Sequence, residues 1–170
     1  METGLKTQDA LSLLVTLEER VAGIYFHFFR AFRADPGIAR CWWDIALEEY
    51  GHAGILKMVR ELVPAEADFG EVGPRLWALV ETVERCEQQA RDVKSLARAL
   101  ELAIRLESSE LDALGRRVIQ SLAADLPEGA MGTFKTTDAH RRHLVEAAGM
   151  VPDRRIRGRL NAKLGGPRES

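Results

Sequence analysis

The sequence predicts an all-α protein: a four-helix bundle whose middle connection is long and carries a short extra helix. Three observations predict it. Apolar residues recur at helical spacing almost everywhere, while strand signals are scarce. Asp35-Pro36 reads as a helix cap followed by proline at the first helical position. The segment from Val63 to Gly73 holds proline and glycine and reads as a loop between two long helical runs.

Taken in order, the first helix is expected from about Thr7 to Arg33, with Thr7 as its N-cap. The second runs from about Pro36 to Leu62 and stops before Pro64. A shorter helix, about Pro74 to Arg91, sits in the middle crossover. The third long helix spans about Ser95 to Leu122, and Asp125-Leu126-Pro127 breaks the chain after it. The fourth runs from about Glu128 to Ala148, with Gly149 as C-cap. Residues 1–149 are therefore read as one bundle and residues 150–170 as a basic tail, solvated or packed on a partner subunit.

The chain has 170 residues, enough for one domain with a sizeable core. With 46% apolar and 29% charged residues it has the make-up of a soluble globular protein rather than a disordered one. A formal net charge of -2 gives no bulk electrostatic case for nucleic acid. The run RRIRGRL, Arg154 to Leu160, lacks the interleaved aromatics that would argue otherwise. No stretch is apolar enough for a membrane span, and the start METGLKTQDALSLL has no secretory pattern, so a cytoplasmic chain is expected. Cys41 and Cys86 form no CxxC, which removes zinc knuckles and rubredoxin-type iron sites. Both are read as ordinary buried or half-buried thiols, and Trp42, Trp43 and Trp77 as packing residues.

The polar residues that interrupt the apolar stripes carry the functional signal. Glu18 falls among Leu14, Leu17, Val21 and Ile24; Glu49 and His52 fall between Ile45 and Leu56. Glu107 interrupts the third helix, and Thr137 and His140 the fourth. A lone buried carboxylate costs several kcal/mol, roughly, so acids on three facing helices call for a shared cation, and a metal ion supplies one. The spacing also repeats. Glu18 precedes Glu49-x-x-His52 by 31 positions, and Glu107 precedes Thr137-x-x-His140 by 30. Two helical hairpins would then each offer an acid on one helix and a histidine unit on the other. The i, i+3 spacing places both side chains of such a unit on one helix face. Di-iron carboxylate bundles use one Glu from each of two helices and Glu-x-x-His from the other two. Mixed carboxylate and imidazole donors suit iron or manganese and admit zinc.

Bland readings compete at each position. Glu18, Glu49 and Glu107 could be acids on the bundle surface, and His52 and His140 satisfied core histidines. Glu19 and Glu48 lie about 100° around the helix from the candidate ligands, which makes solvated positions the default. His143 reads as solvent-facing, and His27 lies on the face opposite Glu18. Tyr25, seven residues after Glu18, returns to the same face and could hydrogen-bond a ligand carboxylate or simply pack.

LEERVAGIYFHFF, WWDIALEEYGHAGIL, LELAIRLESSE and DAHRRHL resemble the four helices of rubrerythrin-like, ferritin-like di-iron proteins. The resemblance covers about Leu11 to Gly149, and EEYGHA is its most specific part. It implies a non-haem iron site that reacts with hydrogen peroxide or dioxygen, an electron donor left unidentified, and a homodimer. Glu18, Glu49, His52, Glu107 and His140 would be the metal ligands, with Glu110 as a further one. Thr137 departs from the pattern, because the family has the bridging Glu there. A single-ion or asymmetric site then stands beside a full pair. A metal-binding or storage protein without turnover, or an empty helical scaffold, stands beside an oxidoreductase.

Overall fold

A computed structural model describes residues 7–62, 72–109, 111–121 and 137–165. Every regular element among them is helical: α1 (Thr7–Ala31), α2 (Pro36–Leu62), α3 (Val72–Ala90), α4 (Leu96–Glu107), α5 (Leu111–Ser121), α6 (Thr137–Gly149) and α7 (Arg154–Lys163).

The starts of α2 and α4 follow from capping chemistry. Asp35 Oδ1 accepts from the Gly37 and Ile38 amides at 3.0 and 3.1 Å, and Pro36 needs no donor partner at the first position. Ser95 caps α4 by accepting from the Arg98 amide. α1 and α2 form the most extensive helix pair. α3 packs along α1 and touches α4, while α6 packs on α2 and α4. The core between them is apolar, with Leu14, Leu17, Phe28, Trp42, Ile45, Leu56 and Leu100 fully buried. Tyr25 stacks on Trp42, with ring centroids 5.9 Å apart.

Three expectations are corrected here. The third long helix is interrupted. α4 ends at Glu107, and Ser108 and Ser109 form a turn before α5. The Ser108 hydroxyl donates to the Ile104 carbonyl at 2.6 Å, and the Ser109 hydroxyl to that of Leu106 at 2.5 Å. The Ser109 amide then turns to the Leu106 carbonyl, an i−3 bond in place of the i−4 ladder, and the helix ends in this tightened turn. Next, the segment read as a tail contains α7. Asp153 caps it by accepting from the Arg155 and Ile156 amides, and it packs on α4 and α6 with Leu160 buried. An arginine-rich helix can dock through one or two leucines while its charges stay in water. Last, Trp77 is exposed; Trp42 lies in the core, and Trp43, nearer the surface, packs against Phe26 and Phe29. The proposed start of the fourth helix, before Thr137, falls outside the described residues. Gly149 is the last residue of α6 and does not take the left-handed conformation, which among the described glycines belongs to Gly165.

Cys41 and Cys86 are buried free thiols. Burial pushes both thiol pKa values up, which makes them poor nucleophiles. No described helix is long and apolar enough to cross a membrane.

Candidate metal centre

Four helices bring polar side chains to one place in the core. Glu18 comes from α1, Glu49 and His52 from α2, Glu107 from the last position of α4, and His140 from the first turn of α6. Glu18 and His140 are 0% exposed, Glu49 2% and His52 3%. They are the buried polar or charged residues among those described, so the surface-acid reading fails for Glu18 and Glu49.

The distances tie these groups into one cluster. His52 Nδ1 lies 3.2 Å from Glu49 Oε2 and 4.0 Å from Glu18 Oε2. His140 Nδ1 lies 3.5 Å from Glu107 Oε2 and 3.7 Å from Glu49 Oε1. The two imidazole centroids are 5.4 Å apart. Donor atoms from Glu49, His52 and His140 all fall within 4.8 Å of one another, so this group could hold a metal ion. The separations from His140 Nδ1 exceed a good hydrogen bond, as expected of donors that surround a shared centre rather than pair with each other. A void of about 10 Å³ lies against Glu49 and Glu107, bordered by Val21, Leu106 and Leu111. That is close to the 10–15 Å³, roughly, that one water needs. The donor set fits one small cation, and the void touches it through Glu49.

Two partners outside that group hold it in place. The Tyr25 hydroxyl donates to Glu107 Oε1 at 2.8 Å, so the residue one heptad after Glu18 orients a site carboxylate. Glu48 Oε2 lies 2.8 Å from His140 Nε2, and its other oxygen is 3.6 Å from His143 Nε2. The expectation that Glu48 is solvated and His143 faces solvent is thereby corrected. Glu48 is one-quarter exposed, and its Oε2 is enclosed. The physical reason is that α2 has two neighbours. One face meets α1 and the adjacent flank meets α6, so a rotation of about 100° moves a side chain from one interface to the next, not into water.

The electrostatics follow from the same contacts. Burial opposes a charge on His140, but the carboxylates of Glu107, Glu48 and Glu49 close around it outweigh it, and its pKa is pushed up to about 11. Without a metal, the imidazolium itself supplies the positive charge that the buried acids require.

Of the remaining site expectations, Glu19 sits on the surface and pairs with Lys57 at 2.5 Å. His27 is exposed. Glu110 lies outside the described residues. Thr137 is the first residue of α6, three before His140, and its side chain is not among those described.

No known protein family, curated protein or solved structure matches the chain. The fold and the site define an all-helical protein with a buried Glu/His/His group able to hold a metal ion.

Proposed function

We propose that this chain is a ferritin-like, rubrerythrin-like protein. In this reading α1, α2, α4 and α6 act as the four bundle helices and bind one or two ions of iron, with manganese or zinc as substitutes. The observation that carries the reading is the buried convergence of Glu18, Glu49, His52 and His140, joined by Glu107, from four helices. Carboxylates at this depth need a compensating cation, and their mixture with imidazoles matches iron-class ions.

The proposed activity is that of an oxidoreductase acting on hydrogen peroxide, dioxygen or Fe(II). A bound iron would supply the redox chemistry. The chain's own residues supply the rest. The carboxylates of Glu18, Glu49 and Glu107 balance charge, and His52 and His140 turn their Nδ1 atoms toward the centre. Leu17, Val21, Leu106 and Leu111 keep the surroundings dry. Glu48 and Tyr25 hold their partners in register. Electrons would come from an external donor, and the working form would be a homodimer.

A metal-binding or storage protein without turnover is the second reading. Thr137 favours it, because the residue three before His140 is not a carboxylate. Elemental analysis of protein purified aerobically without chelator, followed by peroxide consumption after Fe(II) loading, separates the two. Bound metal with turnover supports the oxidoreductase, and bound metal without turnover supports storage. No metal after reconstitution defeats both.

A further inference from the structure

We propose that the cavity between α4, α6 and α7 binds a small organic monoanion with an apolar body. Its occupancy stands on the cavity alone, whereas any influence on the metal centre, through Glu107, rests on the function proposed above.

The cavity has a volume of about 400 Å³. That falls within the range of about 300–1,000 Å³ typical of small-molecule sites and is far too small for a protein partner. Its walls are apolar: Ile104 from α4, Leu144 from α6, and Leu164 just past α7. Arg141 and Lys163 also line it, and Glu107 is the single acid among the described lining residues. Glu107 is also a member of the buried cluster, 3.5 Å from His140 Nδ1, so the cavity borders the cluster at this one residue.

The positive charge at the rim is fixed in place. Arg141 Nε donates to the Leu164 carbonyl at 2.6 Å, and Nη2 to the Gly165 carbonyl at 2.9 Å. Gly165 adopts φ 64, and a Cβ there would collide with Arg141 Nη2. The positive φ favours glycine here, and a Cβ would push the tip of Arg141 off the end of α7. Neutral carbonyls do not cancel the charge of the guanidinium, and Lys163 adds a second cation. Two cations face one carboxylate, and that carboxylate is engaged by Tyr25 and His140. An anionic head group is thus attracted to Arg141 and Lys163 and repelled by Glu107. Its hydrocarbon then lies along Ile104, Leu144 and Leu164. An organic cation would meet the reverse field.

The test is calorimetric titration of the full, metal-loaded chain with octanoate, octanol and octylammonium. Octanoate is expected to bind saturably, and octylammonium at least about tenfold more weakly. Lys163→Glu, at an exposed position, should weaken octanoate by roughly tenfold without altering metal content. Ile104→Trp should fill the cavity and abolish binding; if that variant does not fold, Lys163→Glu carries the decision. No saturable octanoate binding at millimolar concentration overturns the proposal. So does equal affinity for both ions, or full affinity in a folded Ile104→Trp. Charge-selective binding by protein that takes up no metal would support the cavity and defeat the metal reading; metal uptake without octanoate binding would do the reverse.

Discussion

Glu48 Oε2 and His140 Nε2 stand 2.8 Å apart, joining α2 to α6 behind the candidate metal centre. The contact is an ion-pair distance without hydrogen-bond geometry, and it sets the Glu48 carboxylate beside the ring edge opposite Nδ1, which faces Glu49 and Glu107. Carboxylate–histidine–metal relays work this way, and loss of the outer carboxylate typically costs about 10–100-fold in metal affinity.

Substitutions in α2 should therefore rank in a set order. Glu49→Ala removes a donor to the ion and should weaken binding most. Glu48→Ala should follow, with a loss of about 10–100-fold. Glu48→Gln should be milder, because it keeps a polar group of the same size beside Nε2 and removes only the charge. Competition with a chromogenic chelator gives the three affinities. Equal losses for Glu49→Ala and Glu48→Ala would contradict the division between donor and orienting carboxylate.

Tyr25→Phe isolates the other support. It deletes the hydroxyl that donates to Glu107 at 2.8 Å while keeping the ring stacked on Trp42. A hydrogen bond to a charged group contributes about 1.5–3 kcal/mol, so urea unfolding of the metal-free protein should show a loss near the low end of that range. Metal affinity should fall by less than it does in Glu48→Ala, since Glu107 keeps its backbone position at the end of α4. An unchanged unfolding midpoint would show that this bond contributes nothing to stability.

The raised pKa of His140 has a definite sign in stability. The folded value, about 11, lies above the ordinary 6.5. The favourable interaction is therefore fully present below the unfolded value and is lost as pH rises through the folded one. Metal-free protein should lose stability as the medium is made alkaline from about neutral toward pH 11. Metal and proton compete for His140 Nδ1, so metal binding should strengthen over the same window and release protons. The gap in Tm between metal-loaded and metal-free protein should widen with rising pH. A constant gap would show that His140 is not displaced from its protonated state by the metal.

The helical class and the cluster were legible because both rest on periodicity. Glu18, Glu49, His52, Glu107 and His140 interrupt apolar stripes, and burial follows from the stripe. Tyr25 was legible for the same reason, seven residues after Glu18. What escaped depends on which neighbour a helix meets. A single stripe describes one interface of α2, whereas α2 meets both α1 and α6, and Glu48 lies on the second. The signal present in the sequence was two adjacent acids, Glu48 and Glu49, on a helix expected to have two bundle neighbours. The break after Glu107 falls at Ser108-Ser109, but serine is tolerated in helices, and Ser12 bonds back onto α1 without ending it. α7 escaped because its composition is that of a solvated tail. Leu160 and Leu164 suffice to dock it, and nothing in an arginine-rich run announces that a groove between α4 and α6 is available.

Thr137→Glu tests whether the two hairpins are a chemical repeat. Position 137 opens α6, three residues before His140, and i, i+3 spacing on a regular helix is expected to bring a Glu there to the histidine's side. In the metal-free protein, a further acid beside Glu18, Glu49 and Glu107 should raise the electrostatic cost of the core, through like-charge repulsion and desolvation. The favourable placement of an acid in the first turn of a helix offsets only a few tenths to about 1 kcal/mol of this. With Fe(II), the same carboxylate completes a second Glu-x-x-His unit. The parent should hold fewer than two equivalents of metal, and the variant should approach two. Because ligand binding stabilises the folded state by mass action, the rise in Tm on adding Fe(II) should be larger in the variant than in the parent. Elemental analysis and paired thermal scans, with and without metal, measure both quantities. The same stoichiometry and the same metal-induced shift in both proteins would mean that position 137 does not face the centre. In that case Thr137 no longer explains why the chain departs from the di-iron pattern, and the explanation must be sought in the donors it retains.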